Sequence, residues 1–217
     1  MTLNDSAREQ MVQQQVRAWD VLDERVLDTF RNVPRERFVP AEHRFLAFAD
    51  ADIPLPHGQH MLRPNVVGRL LQSLELQGSE RVLEIGAGTG FVTACLAAGS
   101  AHVRSLEIFP DLAETARATL AELRIGNAEV VSADASRLES GERYDAIALT
   151  ASLPVRDERF ERCLAVGGRL FAIIGDPPVM EAWVVRRVAE NAYARESVFE
   201  TVVDALINAR RPHTFIF

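Results

Sequence analysis

The stretch Val82–Gly90, with the sequence VLEIGAGTG, constrains the fold of this 217-residue chain more than any other. A short apolar run that carries one acid, Glu84, enters three glycines (Gly86, Gly88 and Gly90), and a helix-like segment follows. Glycine permits a positive φ and lets the backbone approach a ligand without a Cβ in the way, and the N–H groups at a helix N-terminus attract polar ligands. The pattern predicts a strand, a turn and a helix that bind a nucleotide-like cofactor. A glycine turn with a purely structural role is the alternative.

The spacing of the glycines narrows the choice of cofactor. A dinucleotide-binding turn requires G-x-G-x-x-G/A, but Phe91 follows Gly90 here, and a phosphate-binding P-loop requires a lysine that is not nearby. The pattern E-x-G-x-G-x-G at the end of a first strand resembles motif I of the class I S-adenosylmethionine-dependent methyltransferases. This resemblance implies S-adenosyl-L-methionine as the cofactor.

Composition limits the other functional classes. A chain that is 47% apolar suits one globular domain, and its 24 basic against 31 acidic residues argue against a nucleic-acid partner. We expect no membrane span, because no apolar run reaches about 18 residues, and the polar N-terminus predicts no signal peptide. Cys95 and Cys163 resemble buried core residues of a cytoplasmic protein, and no metal-ligand spacing is present.

From residue 81 onward, strand and helix patterns alternate, which predicts an α/β fold with a doubly wound, mostly parallel sheet. The expected strands cover 81–85, 102–108, 128–132, 144–150 and 168–174, and the expected helices 90–98, 110–123 and 156–165. Two β-branched runs, 182–188 and 197–203, flank a turn at 190–191 and predict an antiparallel pair at the sheet edge. We expect 81–217 to form the core of the molecule.

Residues 1–80 are predicted to be an N-terminal helical and substrate-loop region that packs on this core. Helices are expected over 6–18, over 22–32 with Asp23 as cap, and from Asn65 onward. The segment between Pro34 and Pro40 is expected to be extended. Three prolines and a glycine between 54 and 64 predict an irregular loop, and such loops often carry function.

Ligands of an open α/β sheet bind at the carboxyl ends of its strands, so the polar residues there are candidates. Glu107 can accept both ribose hydroxyls of an adenosine, or it is a solvated strand-end charge. Asp134 can accept from an adenine amine, or it caps a helix. Glu84 is expected to orient the glycine turn by accepting backbone N–H bonds and to face the methionine part of the cofactor. The fourth strand leads into residues 150–154, beginning with Thr150, where acceptor and methyl group are expected to meet.

Three segments in a fixed order carry a more specific resemblance. VPRERFVP (33–40), PLPHGQ (54–59) and VLEIGAGTG (82–90) resemble the protein-L-isoaspartate O-methyltransferase family over about residues 10–205. The resemblance implies methyl transfer to the α-carboxylate of isoaspartyl residues in damaged proteins, as a repair reaction. The sequence does not indicate an oligomeric state, and a monomer is the default expectation. With the strand-end candidates, the resemblance implies cofactor contacts at Gln59, His60, Met61, Glu84, Gly86, Ala87, Gly88, Gly90, Glu107, Ile108, Asp134, Ala135 and Thr150.

The loop before the glycine turn departs from the family pattern. The family continues Gly-Gln-Thr-Ile-Ser-x-Pro with the serine at the reaction centre, whereas this chain has His60 at the threonine position and Leu62 at the serine position. His60, Leu62 and Arg63 are therefore the candidate catalytic positions. Alignment of reactants supplies roughly 7–11 kcal/mol and one hydrogen bond to a charged group only about 1.5–3 kcal/mol, so loss of the serine need not abolish activity. A different methyl acceptor, or a cofactor-binding protein without catalysis, are the alternatives.

Overall fold

Strands and helices alternate from Arg81 onward, as the periodicity predicts. The computed structural model describes residues 3–138 and 141–211. Its helices are α1 (Leu3–Met11), α2 (Glu24–Asn32), α3 (Pro64–Leu74), α4 (Phe91–Ala98), α5 (Pro110–Glu122) and α6 (Glu158–Arg162). Its strands are β1 (Ile53–Pro54), β2 (His60–Met61), β3 (Arg81–Ile85), β4 (His102–Glu107), β5 (Ala128–Ser132), β6 (Tyr144–Leu153), β7 (Leu164–Asp176), β8 (Val179–Ala189) and β9 (Ala192–Glu200).

Seven of these strands form one sheet in the order β5-β4-β3-β6-β7-β8-β9. Strands β3 to β7 pair in parallel, and β8 and β9 add to the edge in antiparallel fashion. The predicted doubly wound, mostly parallel sheet with a C-terminal antiparallel pair is thus confirmed. The chain moves outward from β3 through β4 to β5 and returns to β6 on the other side of β3. A crevice therefore lies at the carboxyl ends of β3 and β6, where open α/β sheets bind ligands.

The period-2 alternation of the strands separates two apolar faces. One face carries Val82, Val103 and Val130, and these pack in a single core cluster with residues of α1 to α5. The opposite face carries Leu83, Ile85 and Leu106 and packs with Phe160 of α6. Residues from 3–80 and residues of the sheet thus share one core. Cys95 and Cys163 are buried free thiols, as predicted.

Two N-terminal predictions need correction. The helix expected over 6–18 is α1 only to Met11, after which the chain continues as a π-helical turn (Val12–Val16) and a 3₁₀ turn (Arg17–Trp19). The segment between Pro34 and Pro40 is not extended, because it contains a 3₁₀ turn at Arg35–Arg37. Proline restricts its own φ and the residue before it, so Val33 is extended (ψ 114°) while the residues after Pro34 are free to turn. Asp23 caps α2 as predicted, accepting from the N–H of Arg25.

The 3₁₀ turn places a fully buried guanidinium below the loop that precedes α3. Arg35 donates from Nε to the carbonyl of Ala47 at 3.0 Å and from Nη2 to the carbonyl of Leu62 at 2.8 Å. Its guanidinium also lies 4.7 Å from the ring centroid of Phe91. Burial lowers the pKa of Arg35 to about 10. Arg35 thus ties the loop at Leu62 to the first turn of α4.

Smaller differences concern the ends of elements. The helix expected over 156–165 is limited to Glu158–Arg162, with Asp157 as its cap. Strands β7, β8 and β9 are longer than expected, but 201–203 lie outside the strand pair. In the parts of the chain that are described, no helix has the length and apolarity required to cross a membrane.

Candidate active site

The glycine turn leaves β3 and is fixed to both neighbouring strands. The N–H groups of Gly86 and Ala87 donate to the carbonyl of Leu106 in β4. Gly86 and Gly90 have φ values of 94° and 91°, where residues with a Cβ are strained. A Cβ on Gly86 would lie 2.4 Å from Oγ1 of Thr150 in β6. The turn requires glycine here for conformation and for the close approach of β6.

Glu107, at the end of β4, supports the same turn from the other side. Its Oε2 accepts from the N–H of Gly88 at 2.8 Å, and its Oε1 accepts from the N–H of Phe109 at 3.0 Å. The side chain is buried, with a relative exposure of 5%. Since a carboxylate oxygen has two acceptor positions, each oxygen keeps one position for a ligand hydroxyl. Glu107 is therefore a buried, oriented acceptor and not a solvated charge.

Asp134 follows β5 and fills the capping role considered for it, while the contact to an adenine amine stays a prediction. Its Oδ1 caps the 3₁₀ turn Ala135–Arg137 by accepting from the N–H of Ser136, and its Oδ2 accepts from Nδ2 of Asn208 at 3.0 Å. Burial acts to raise the pKa of Asp134, but the hydrogen bonds from Ser136 and Asn208 outweigh it and hold the pKa below its ordinary value. The carboxylate is therefore ionised and fixed at the crevice.

The role predicted for Glu84 is wrong. Its Oε2 accepts from the hydroxyls of Thr93 in α4 and Ser105 in β4, and no described backbone N–H donates to it. The side chain is fully buried, and Oε1 has no hydrogen-bond partner among the described residues. Burial raises the pKa of Glu84 to about 7. Glu84 lies under the glycine turn, where it joins β3, β4 and α4, and does not face a ligand.

At the carboxyl ends of the strands lies a cleft of about 610 Å³ that is open to solvent, which we call the strand-end cleft. Nine residues predicted from the sequence line it: Gln59, His60, Gly86, Gly88, Glu107, Ile108, Asp134, Ala135 and Thr150. Met61, Glu84, Ala87 and Gly90 do not. Gly90 faces Ala116 of α5, and the Met61 sulfur faces the hydroxyl of Thr89.

Several apolar residues of the strand-end cleft were not predicted. These are Leu55, Ile85, Leu106, Phe109, Leu112, Ala133, Ala151, Leu206 and Ile207. Phe109 follows the predicted Ile108 and could have been predicted from its place at the same strand end. The imidazole of His57 stacks on the Phe109 ring with centroids 4.1 Å apart, and its Nε2 lies 2.9 Å from Asp111.

Residues 201–208, which we call the C-terminal strap, return from β9 to the crevice. The N–H of Ser152 donates to the carbonyl of Asp204, and the N–H of Leu206 donates to the carbonyl of Ser152, both at 2.8 Å. Leu206 therefore lies in the strand-end cleft, and Asn208 reaches Asp134. The strap also carries Asp204, whose Oδ2 lies 3.0 Å from Nδ1 of His60.

A second cavity, of about 870 Å³ and also open to solvent, adjoins the strand-end cleft and shares His60 and Thr150 with it. We call it the loop cavity. Its other residues come from the loop before α3, the β7–β8 turn, the start of β8 and the strap: Asp52, Leu62, Arg63, Pro177, Met180, Val202, Val203, Asp204 and Ala205. The structure thus brings together the three predicted catalytic positions.

The charged groups of the loop cavity are paired and partly exposed. Arg63 donates from Nε and Nη2 to the carboxylate of Asp52, at 3.0 and 2.8 Å. The hydrogen bond to Asp52 raises the pKa of Arg63. Leu62 is buried, with a relative exposure of 8%, and it presents only an apolar side chain to the cavity, since its carbonyl is held by Arg35.

Comparison with known proteins agrees with this architecture. Residues 6–204 match the sequence profile of the family described as protein-L-isoaspartate(D-aspartate) O-methyltransferase (PCMT). Two relatives, both from Rhodopseudomonas palustris strains, carry the name protein-L-isoaspartate O-methyltransferase. One is 44% identical over 77% of this chain and 69% of its own length, and the other is 38% identical over 92% of both chains.

Among solved structures, a Plasmodium falciparum chain assigned to the same family and crystallised with S-adenosyl-L-homocysteine superposes with a TM-score of 0.77. The superposition covers 95% of this chain and 99% of that one at 19% identity. At this identity the likeness concerns the fold alone.

Proposed function

This chain belongs to the protein-L-isoaspartate(D-aspartate) O-methyltransferase family, and from that premise we propose that it methylates the α-carboxylate of L-isoaspartyl residues in damaged proteins, with S-adenosyl-L-methionine as donor. The observation that carries the proposal is the meeting of the strand-end cleft and the loop cavity at His60 and Thr150. Two ligands that occupy these cavities lie side by side there. We propose that the protein is a cytoplasmic monomer and that neither nucleic acid nor a membrane is its partner.

The residues of the strand-end cleft fit this donor. Glu107 and Asp134 are buried or fixed carboxylates with acceptor positions left for ribose hydroxyls and an adenine amine. Apolar side chains such as Phe109 and Leu112 surround them. The proposed contacts are Gln59, His60, Gly86, Gly88, Glu107, Ile108, Asp134, Ala135 and Thr150. When bound, S-adenosylmethionine supplies a methyl group on a positively charged sulfur.

The residues of the loop cavity then bind and orient the acceptor. A carboxylate is already a nucleophile at neutral pH, so the protein has to align it and exclude water, and alignment supplies the larger share of the rate. Leu62 contributes an apolar wall that displaces water, and Thr150 marks the boundary with the donor. His60 also contacts the acceptor from the boundary between the two cavities.

Arg63 is the proposed cation for the acceptor carboxylate. Its Nη1 makes no hydrogen bond among the described residues, while Nε and Nη2 are held by Asp52. Asp52 therefore occupies two of the guanidinium nitrogens and leaves Nη1 for the ligand. Because a partly exposed ion pair of this kind is worth only about 0–1 kcal/mol, an incoming carboxylate competes with Asp52 at little cost.

An isoaspartyl peptide tests the acceptor directly. We expect the protein, incubated with such a peptide and S-adenosylmethionine, to form a base-labile methyl ester that releases methanol. The same peptide with ordinary aspartate is the control and should release little. Binding of S-adenosylhomocysteine without turnover of the isoaspartyl peptide would exclude the proposed acceptor and retain the proposed cofactor. Such a result would favour a different acceptor or a protein that has lost catalysis.

Two substitutions test the role of Arg63. We expect Arg63→Gln to raise the KM for the isoaspartyl peptide about tenfold, because a hydrogen bond to a charged group contributes about 1.5–3 kcal/mol. Asp52→Asn is the matched variant, and it should lower this KM because it removes the competing carboxylate. If both variants raise KM alike, the pair only holds the loop together and Arg63 does not contact the acceptor.

A further inference from the structure

His60 and Asp204 form an oriented pair at the junction of the two cavities. Nδ1 of His60 lies 3.0 Å from Oδ2 of Asp204. The backbone of Asp204 is fixed in turn, since its carbonyl accepts from the N–H of Ser152 at the end of β6. A carboxylate at Nδ1 keeps the proton of a neutral imidazole on that nitrogen and leaves the lone pair on Nε2. Nε2 of His60 has no hydrogen-bond partner among the described residues.

Asp204 is the charged partner of His60 in the loop cavity. The other ions of this cavity, Arg63 and Asp52, pair with each other through two nitrogens and largely cancel. The carboxylate of Asp204 makes no other ion pair among the described residues. A carboxylate acceptor needs no base, so the isoaspartyl reaction leaves this arrangement without a chemical role.

We propose that His60 and Asp204 act as a general-base pair through which the loop cavity also methylates a neutral phenolic hydroxyl, such as a tyrosyl side chain. The inference rests on the proposed function for the methyl donor only. The hydroxyl proton passes to Nε2 of His60 while the phenolic oxygen takes the methyl group. The electrons of the broken carbon–sulfur bond stay on sulfur. Asp204 stabilises the imidazolium until its proton is lost to water.

Two observations favour a phenol as the acceptor: the acidity of its hydroxyl and the apolar walls of the loop cavity. A phenol ionises with a pKa of about 10 and an imidazole with one of about 6.5, so this transfer is far less uphill than transfer from an aliphatic alcohol. The walls that face the acceptor are apolar and suit a ring: Leu62, Pro177, Met180, Val202 and Val203.

The test uses N-acetyl-L-tyrosinamide as acceptor and N-acetyl-L-phenylalaninamide as control. Methyl ethers survive the mild base that hydrolyses methyl esters, so the two products are separable in one experiment. We expect base-stable methyl incorporation into the tyrosine compound only. His60→Gln should lower the ratio of ether to ester formation about 100-fold, since general-base catalysis typically contributes about 10²–10⁴-fold. Asp204→Asn should lower it about tenfold.

His57→Gln is the matched control, because His57 also pairs with an aspartate, Asp111, but is not among the residues that line either cavity. It should leave the ether-to-ester ratio unchanged. A second readout needs no donor. The ring resonances of His60 in the protein alone should shift more on addition of N-acetyl-L-tyrosinamide than on addition of the phenylalanine compound, because only the tyrosyl hydroxyl donates a hydrogen bond to Nε2.

The outcomes separate this inference from the proposed function. Ester formation on the isoaspartyl peptide with no ether on the tyrosine compound overturns the general-base pair and retains the repair reaction. Ether formation without turnover of the isoaspartyl peptide overturns the repair reaction and retains the general-base pair. Ether formation that persists in His60→Gln also overturns the pair. Absence of both products, with S-adenosylhomocysteine bound, overturns both proposals.

Discussion

The strand-end cleft and the loop cavity share a border but are built from different kinds of structure. The strand-end carboxylates of the cleft are held by backbone N–H groups, as Glu107 is by those of Gly88 and Phe109. Polar groups in the loop cavity are partly exposed side chains that pair with one another, as Arg63 does with Asp52. The cleft is fixed by the ends of strands, whereas the cavity is formed by a loop, a turn and the C-terminal strap.

This difference indicates which residues of the site can be substituted and which cannot. A carboxylate that holds backbone N–H groups loses charge-assisted bonds of about 1.5–3 kcal/mol each when it is replaced. An exposed ion pair contributes about 0–1 kcal/mol, so its members can be exchanged with little effect on folding. The cofactor half of the site therefore resists substitution, and the acceptor half tolerates it. Leu62 lies in the tolerant half.

The largest expected effect comes from filling the cleft at Gly86. In Gly86→Ala, the new Cβ meets Oγ1 of Thr150 at 2.4 Å on a backbone with φ 94°. Strain of about 1–2 kcal/mol and overpacking of about 1–3 kcal/mol should lower the free energy of unfolding by about 3 kcal/mol. The Kd for S-adenosylhomocysteine, measured by calorimetry, should rise more than about 100-fold.

Gly78→Ala provides the control, because Gly78 has nearly the same φ, 96°, and no heavy atom within 4 Å of an added Cβ. Gly78→Ala should lower the free energy of unfolding only by the backbone strain of about 1–2 kcal/mol and leave the Kd for S-adenosylhomocysteine unchanged. Wild-type affinity in Gly86→Ala would contradict the claim that the cleft is the rigid half of the site.

The same contrast explains which parts of the molecule could be predicted from sequence. The sheet follows from alternating periodicity, and the cleft residues at strand ends follow from topology once the strands are known. Glu107, Asp134 and Thr150 were found in this way, whereas Gln59 and His60 came from the resemblance to the family. Leu206 and Ile207 of the cleft and Asp204 of the loop cavity were not predicted, because they come from a segment after the last strand that has no periodic pattern. This segment contacts Ser152 across a sequence separation of 52 residues, and no local signal indicates that contact.

The error at Glu84 has a different cause, because the sequence does contain the signal that places this side chain in the core. Glu84 lies two residues after Val82, and period 2 directs both side chains to the face covered by α4. Its register partner in β4 is Ser105, which shares that face. Applied to this acid, the alternation predicts a buried carboxylate below the turn. The prediction relied on the glycine motif and did not apply the alternation of side chains along the strand.

The second prediction concerns this buried carboxylate. The pKa of Glu84 is raised from an ordinary value of 4.5 to about 7, so the folded state binds its proton more tightly than the unfolded state does. Its contribution to stability is fully present below about pH 4.5 and is lost progressively as the pH rises through about 7. At about 1.36 kcal/mol per pKa unit, the loss amounts to about 3 kcal/mol.

Glu84→Gln should remove this pH dependence, because the amide does not titrate. Urea unfolding of both proteins between pH 5 and 8 measures the difference, which should shift in favour of the variant as the pH rises. Glu129→Gln, in an acid that is exposed on β5, is the control and should behave like wild type. A difference between Glu84→Gln and wild type that stays constant with pH would show that Glu84 is ionised throughout in the folded protein.

The smallest effect is expected in the loop cavity, at Leu62, where the resemblance to the family predicts a serine. Leu62→Ser introduces a hydroxyl but removes a largely buried apolar side chain, so we expect a loss of about 2 kcal/mol in the free energy of unfolding. Leu62→Ala is the matched variant, because it removes the same apolar contacts without adding a hydroxyl. The ratio of kcat for the isoaspartyl peptide between the two variants isolates the hydroxyl. We expect this ratio to be about 10, the equivalent of one hydrogen bond of about 1.4 kcal/mol, with the Kd for S-adenosylhomocysteine unchanged in both. A ratio above about 1,000 would mean that the hydroxyl outweighs alignment. In that case the acceptor half of the site would not be the tolerant one.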